Sequence, residues 1–169
     1  KKGAYDEILS YIDSMGIFML NSDEYVDSGN KEIDSTLNYL LQKADKILDN
    51  TKISIVLPEN LSVHTFSINV ILGNLLDNAL EACEKINDKK RWIKIKIKKK
   101  NLLLYIEIAN VLEEMPKQIQ KEFVSNKKDN GLHGYGMKNI QDIIKKYDGI
   151  FEYKVYEDHL IFMISIYNN

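Results

Sequence analysis

The chain has 169 residues, of which 44% are hydrophobic and 28% are charged, and its formal net charge is −2. This apolar fraction supports a folded core, so the composition excludes a fully disordered chain. The near-neutral charge argues against a dedicated nucleic-acid-binding protein, and the single cysteine, Cys83, excludes a disulfide framework or a four-thiolate metal site. Cys83 is therefore expected to be a small core residue. No stretch approaches the roughly 18 apolar residues of a membrane helix.

Apolar residues follow helical spacing twice within the first fifty residues. The first set is Ile8, Leu9, Ile12, Met15 and Met19. After a break at Ser28-Gly29-Asn30, whose side chains can cap a new helix, a second set runs from Ile33 to Leu48. Two such helices cannot cover their own apolar stripes. We therefore expect residues 1–50 to be the C-terminal part of a dimerisation and phosphotransfer region, in a bundle completed by another chain or by sequence outside this one.

From Lys52 onward, the pattern predicts strands and helices in turn. Residues 92–98 alternate strictly between apolar residues and lysines, which is typical of a half-buried strand. A polar segment over 111–130 is expected to be a surface loop that acts as a lid. The full set of predicted elements is a strand over 53–57, a helix over 68–86, a hairpin over 92–98 and 102–110, a helix over 134–146, and a hairpin over 150–156 and 160–167.

Two consecutive hairpins argue against a doubly wound parallel sheet. The order of elements instead favours the α+β class, as a two-layer sandwich in which a mixed sheet lies under a layer of helices. We expect residues 51–169 to form this domain.

One face of the predicted helix over 68–86 carries polar residues suited to a metal ion. At about 3.6 residues per turn, Asn74, Asn78 and Glu81 lie opposite the apolar stripe, with Asp77 at the margin. Carboxamides four residues apart present oxygen atoms toward one point, and Mg²⁺ prefers such ligands while keeping several waters. The same spacing also fits an ordinary solvent-exposed helix face, so the spacing alone leaves both readings open.

A glycine-rich segment stands directly before the next predicted helix and reads Asn130-Gly131-Leu132-His133-Gly134-Tyr135-Gly136-Met137. Glycines let the backbone approach a ligand closely, and the N–H groups at a helix start favour phosphate. Lys127 and Lys128, just upstream, would add cations. The segment fits neither a dinucleotide fingerprint nor a Walker motif, so a purely structural turn is the alternative.

Together these segments resemble the GHKL superfamily of ATPases, which includes gyrase, heat-shock chaperones, histidine kinases and mismatch-repair ATPases. The stretch from Asn74 to Ala82 resembles the N box of that superfamily, and the stretch from His133 to Met137 resembles its second glycine box. Ser28-Gly29-Asn30 and the residues that follow are similar to the linker helix of peptide-quorum-sensing histidine kinases, the accessory-gene-regulator sensor class. The resemblance covers nearly the whole chain.

This resemblance implies a Bergerat-type ATP fold and a site for ATP and Mg²⁺. Asn78 would hold the magnesium ion, and Asn74 and Lys127 would be the catalytic residues, the first orienting phosphate or water and the second reaching the phosphates from the lid. The residues that it places around the nucleotide are Asn74, Asn78, Glu81, Asn110, Lys127, His133, Gly134, Tyr135, Gly136 and Met137. For the residues that flank the glycines of this turn, a packing role is an equal alternative.

Two features depart from the family pattern. The expected Asp-x-Gly-x-Gly box reads Ile108-Ala109-Asn110-Val111-Leu112 here, where Asn110 would accept a hydrogen bond from the adenine amine or simply end a strand. The three histidines are His64, His133 and His159, and none lies on the early helices. We therefore expect the phosphoacceptor helix to lie upstream of this chain.

The predicted function is that of the ATP-binding catalytic domain of a two-component sensor histidine kinase, transferring the γ-phosphoryl group to a histidine on a helix absent from this chain. Expected partners are a second copy, joined through the N-terminal helices, and a response regulator. The domain is expected to be cytoplasmic in a bacterium, with a membrane contact only through an upstream sensor region. The alternative is a scaffold, or pseudokinase, with weak or no nucleotide binding. Nucleic-acid binding by Lys94, Lys96 and Lys98 is disfavoured, because alternating lysines are expected on the solvent face of a strand.

Overall fold

The computed structural model describes residues 25–57, 61–87, 90–113 and 135–168. The elements within these ranges are α1 (Lys31–Asp45), β1 (Asn50–Val56), α2 (Thr65–Glu84), β2 (Trp92–Lys100), β3 (Leu103–Val111), α3 (Tyr135–Lys146), β4 (Ile150–Val155) and β5 (His159–Tyr167). The first predicted helix and most of the predicted lid lie outside the described residues. No helix within these ranges is both long enough and apolar enough to span a membrane.

The five strands form one mixed sheet in the order β1-β2-β3-β5-β4. β1 pairs with β2 in parallel, and the other neighbours pair antiparallel. Both predicted hairpins are present, and in the second one the N–H of Tyr156 donates to the carbonyl of His159 at 2.8 Å across the turn. The predicted α+β class with a mixed sheet under helices is therefore confirmed.

Alternation along the strands places the apolar side chains on one face of the sheet. Ile95 of β2 lies opposite Ile108 of β3, which in turn lies opposite Phe162 of β5, and all three are buried. The other face carries charges, including a pair in which Lys94 Nζ lies 3.2 Å from Glu107. Removal of apolar surface from water, at about 25 cal/mol per Å², favours packing of the helices on the first face.

The helix α2 lies at the centre of this packing and contacts α1, α3, β2 and β3. His64 caps its start, since Nδ1 of His64 accepts a hydrogen bond from the N–H of Phe66 at 3.2 Å. The hydroxyl of Tyr147 accepts from the N–H of His64 at 3.2 Å, which ties the end of α3 to this cap. The buried apolar residues of α2 are Ile68, Ile71, Leu72, Leu75, Leu76, Ala79, Leu80 and Cys83.

The position of α1 differs from the sequence-based expectation. Its start is as predicted, because the side chain of Asn30 accepts from the N–H of Ile33 at 3.2 Å. The Asn38 side chain bonds both the N–H and the carbonyl of Val26, at 2.8 and 3.0 Å, and so holds the preceding segment on the helix. The apolar stripe of α1 is buried in the same core as α2, so this helix does not need another chain to cover it. The assignment of residues 1–50 to a dimerisation region stays a prediction.

Cys83 is a core residue, as its type and position predicted. Its side chain is fully buried, and Sγ lies 3.6 Å from the carbonyl oxygen of Trp92. Burial raises the pKa of the thiol from 9.0 to about 11, and nearby backbone hydrogen bonds offset part of that shift. A thiol of this kind is protonated and unreactive near neutral pH.

We expect Cys83 to resist iodoacetamide at mildly alkaline pH in the native protein and to react once the chain is unfolded in urea. Because the folded state keeps a proton that the unfolded chain loses above its pKa of 9.0, the free energy of unfolding should fall as pH rises from about 9 toward 11. Below about pH 9 the thiol is protonated in both states, so it does not make the free energy of unfolding depend on pH. Urea titrations at several pH values give the free energy of unfolding of the protein and of Cys83→Ala. The two free energies should change differently with pH only between about 9 and 11. Rapid labelling of the native protein would contradict the assignment of Cys83 as a buried, protonated thiol.

Candidate functional site

A surface cavity of about 340 Å³ opens along the polar face of α2. It brings together residues of α1, α2 and the first turn of α3. Its described lining residues are Lys43, Asn74, Asp77, Asn78, Leu80, Glu81, Glu84 and Gly136. Both sequence motifs, far apart along the chain, thus contribute to one cavity, the second through Gly136.

Asn74 of the first motif faces Gly136 of the second. Nδ2 of Asn74 donates to the carbonyl oxygen of Val70 at 2.7 Å, which holds the side chain along its own helix. A β-carbon built on Gly136 would fall well inside van der Waals contact with Oδ1 of Asn74. Glycine at position 136 therefore lets the first turn of α3 approach α2 without displacing the Asn74 amide.

One turn further along α2, Asn78 contacts Met137, the residue that follows Gly136 in α3. Nδ2 of Asn78 donates to Sδ of Met137 at 3.6 Å, and a thioether sulfur is a weak acceptor. Both side chains are half-buried. The contact orients a carboxamide whose oxygen is the kind of ligand that Mg²⁺ prefers, so Asn78 fits the metal-binding role expected of it.

Asn110 stands at the end of β3 and is 1% exposed. It shares the helix-facing side of the sheet with Ile93 of β2, its cross-strand partner. Nδ2 of Asn110 donates to the carbonyl of Val111 at 2.9 Å, whereas Oδ1 is buried and has no hydrogen-bond partner in the described part of the chain. A buried acceptor without a donor costs about 1–3 kcal/mol. Oδ1 of Asn110 therefore has an unused capacity to accept a hydrogen bond, but Asn110 is not among the described residues that line the cavity.

Most of the charged side chains among the described lining residues are acidic. Asp77, Glu81 and Glu84 line the cavity together with one basic side chain among the described lining residues, Lys43. Nζ of Lys43 lies 3.3 Å from Oδ1 of Asp77, and the two side chains are 54% and 51% exposed. Sequence reasoning missed Lys43 because it assigned α1 to a separate region and no motif marks this lysine. Only the packing of α1 against α2 brings it to the site.

Several predicted site residues lie wholly or partly outside the described part of the chain. Lys127, His133 and Gly134 are not among the described residues, and of Tyr135 only the backbone position, at the start of α3, is described. Of the other histidines, His64 caps α2 and His159 begins β5, and neither lines the cavity.

We expect Gly136→Ala to destabilise the protein by about 1–3 kcal/mol, because the new methyl group must displace either the Asn74 amide or the start of α3. Gly73→Ala is the matched control. Gly73 also lies in a helix, next to Asn74 in sequence, but a β-carbon there meets no atom within 4 Å. That change should stabilise the protein by about 0.5–1 kcal/mol through helix propensity. Urea unfolding measures both, and equal effects would argue against the close contact.

Comparison with known sequences identifies the family of this chain. The sequence profile of the GHKL domain family matches residues 63–167, which include both motif boxes and β2 to β5. A probable C4-dicarboxylate sensor kinase of Halalkalibacterium halodurans is 28% identical over 117 residues. That match covers 67% of this chain and 20% of the relative, so the chain spans about a fifth of that curated protein.

Solved structures show the same fold. The catalytic domain of the histidine kinase ThkA, in a nucleotide-free form, superposes with a TM-score of 0.65 at 17% identity, over 84% of this chain and 93% of that one. The mycobacterial sensor histidine kinase MprB superposes with a TM-score of 0.61 at 12% identity, over 82% of this chain and 95% of that one. The histidine kinase AdeS of Acinetobacter baumannii superposes with a TM-score of 0.59 at 16% identity, over 96% of this chain and 80% of that one. With the profile match, these similarities lead to one conclusion: the chain belongs to the GHKL domain family and has the fold of histidine kinase catalytic domains.

Proposed function

We propose that this domain binds ATP with Mg²⁺ and supplies the γ-phosphoryl group to a histidine of a sensor histidine kinase. The observation that carries the proposal is the contact of Gly136 with Asn74 inside the cavity that Asn78 also lines. A helix start, with its N–H groups, thereby meets a row of carboxamides. The N–H groups of a helix start favour phosphate, and the oxygen atoms of carboxamides favour a hydrated magnesium ion.

Each residue then has a proposed role. Asn110 accepts a hydrogen bond from the adenine amine through its buried Oδ1, and Asn74 orients a phosphate group or a water molecule. Asn78 holds Mg²⁺, which when bound supplies charge neutralisation at the phosphates. Glu81 lines the phosphate side. The remaining proposed nucleotide contacts come from the second glycine box and the lid: Lys127, His133, Gly134, Tyr135, Gly136 and Met137.

The second candidate is a scaffold that keeps the fold without useful nucleotide affinity. The altered first glycine box, where Asn110 stands without neighbouring glycines, is the feature that favours it. The buried Oδ1 of Asn110 has no partner among the described residues, and a bound N–H donor would offset the cost of leaving it unpaired. The comparisons lend the scaffold no support, and we therefore favour ATP binding.

The proposed partners follow from the kinase function. They are a second copy of the kinase, joined through the N-terminal helical region, and a response regulator that receives the phosphoryl group. We also propose that the domain is cytoplasmic and belongs to a membrane-anchored bacterial receptor. Membership of the peptide-quorum-sensing class is part of this proposal and rests on the Ser28-Gly29-Asn30 segment and the residues that follow it.

We expect Asn78→Ala to remove the magnesium-dependent part of ATP binding while the melting temperature changes little. Asn78 is half-buried, and its one described hydrogen bond, to Met137, is weak. Titration of a fluorescent ATP analogue with and without Mg²⁺ measures the effect, and Asn139→Ala, an exposed asparagine of α3, is the control. A sharp fall in melting temperature with nucleotide binding retained would show that Asn78 is structural.

We also expect this chain to bind ATP without phosphorylating itself. The two described histidines, His64 and His159, do not line the cavity, and residues 1–50 contain no histidine. Adding a separate chain that carries the acceptor helix should restore transfer, to the histidine of that chain. Incubation with γ-labelled ATP followed by a test of acid lability measures this. Strong acid-labile labelling of the chain alone would contradict an external acceptor, and no label on either chain would favour the scaffold.

A further inference from the structure

The described lining of the cavity carries more acidic than basic side chains. It holds the three carboxylates of Asp77, Glu81 and Glu84, which repel the phosphates of ATP. A single magnesium ion would offset part of this repulsion. Another positive group close to the phosphates would offset more, and Lys43 is the basic side chain that lines the cavity among the described residues.

The position of Lys43 suits this task. Its ammonium lies 3.3 Å from Asp77, which precedes Asn78 and follows Asn74 by three residues. The ammonium is therefore held within about one helical turn of both amides. A lysine side chain has a long flexible stem and three N–H donors, so it can reach more than one oxygen acceptor from this position.

The ion pair between Lys43 and Asp77 is also easy to break. Both side chains are about half-exposed, and solvent screens pairs of this kind so strongly that they add little stability. Exchanging one carboxylate for phosphate oxygens therefore costs little on the protein side. Asp77 would return to full hydration, since it already faces solvent.

We propose that Lys43 is a phosphate-binding residue of this site, held at the rim of the cavity by Asp77 until its ammonium moves to the phosphates of the bound nucleotide. This inference rests on the ATP-binding function proposed above and extends it. It places a ligand-binding residue on α1, outside the range of residues 63–167 that matches the family profile.

The test compares the affinities of variants for ATP and for adenosine, by displacement of a fluorescent ATP analogue in the presence of Mg²⁺. Lys43→Met keeps the apolar stem and removes the charge, and it should weaken ATP binding about tenfold while leaving adenosine binding unchanged. Lys43→Arg should keep ATP affinity. Lys46→Met, which changes an exposed lysine at the end of the same helix that does not line the cavity, is the matched control and should bind as the unaltered protein does.

Asp77→Asn provides an independent measurement, because it releases the ammonium without removing it. ATP affinity should be maintained or raised in that variant, and a tenfold loss would overturn the holding role of Asp77. The loss caused by Lys43→Met should shrink as salt concentration rises, because salt screens charge interactions.

The outcomes separate the two proposals. If the unaltered protein binds ATP and Lys43→Met binds it equally well, the role of Lys43 is overturned and the proposed function stands. If Lys43→Met loses ATP and adenosine binding to the same extent, the residue is structural and its phosphate-binding role is overturned. If the unaltered protein binds no ATP, both proposals fall together.

Discussion

The burial of one face of α2 against the sheet is the constraint on which the site depends. Ile68, Leu72 and Leu75 are fully buried, and this fixes the rotation of the helix about its axis. Asn74 and Asn78 consequently point to the opposite side, into the cavity. A shift of one residue would turn every side chain by about 100° and carry the amides toward the core, where carboxamides without partners are costly. The same apolar contacts that stabilise the fold therefore also aim the polar groups.

A second constraint acts between the helices. At the start of α3, Gly136 leaves room for the amide of Asn74, and at the end of α3, Tyr147 is hydrogen-bonded to the cap of α2. A methyl group at position 136 would therefore displace the amide of Asn74, which lines the cavity. This arrangement makes the geometry of the site sensitive to the docking of α3, although most of the core lies elsewhere.

Much of this architecture could be predicted from the sequence, and the exceptions share a physical cause. Strict alternation identified β2, and helical spacing identified the two faces of α2, because both patterns are local. The same spacing showed that α1 has an apolar face but could not say what covers it, so α1 was assigned to a bundle and Lys43 was missed. The polarity of Asn110 was visible, but its buried oxygen without a partner depends on how three strands meet. The roles of Lys127, His133 and Gly134 stay predictions.

The strand order carries a consequence for the biosynthesis of this domain. β5 comes last in chain order, yet it lies between β3 and β4 and pairs with both. While a ribosome is still synthesising residues 159–167, β3 has an open edge and β4 has no neighbour in the sheet. An open edge of this kind is a template for pairing with other chains, so the nascent domain passes through an aggregation-prone stage that ends only when β5 emerges and inserts. Mutations that weaken β5 are therefore expected to reduce the yield of soluble protein more than mutations of equal thermodynamic cost in β1, the edge strand made first.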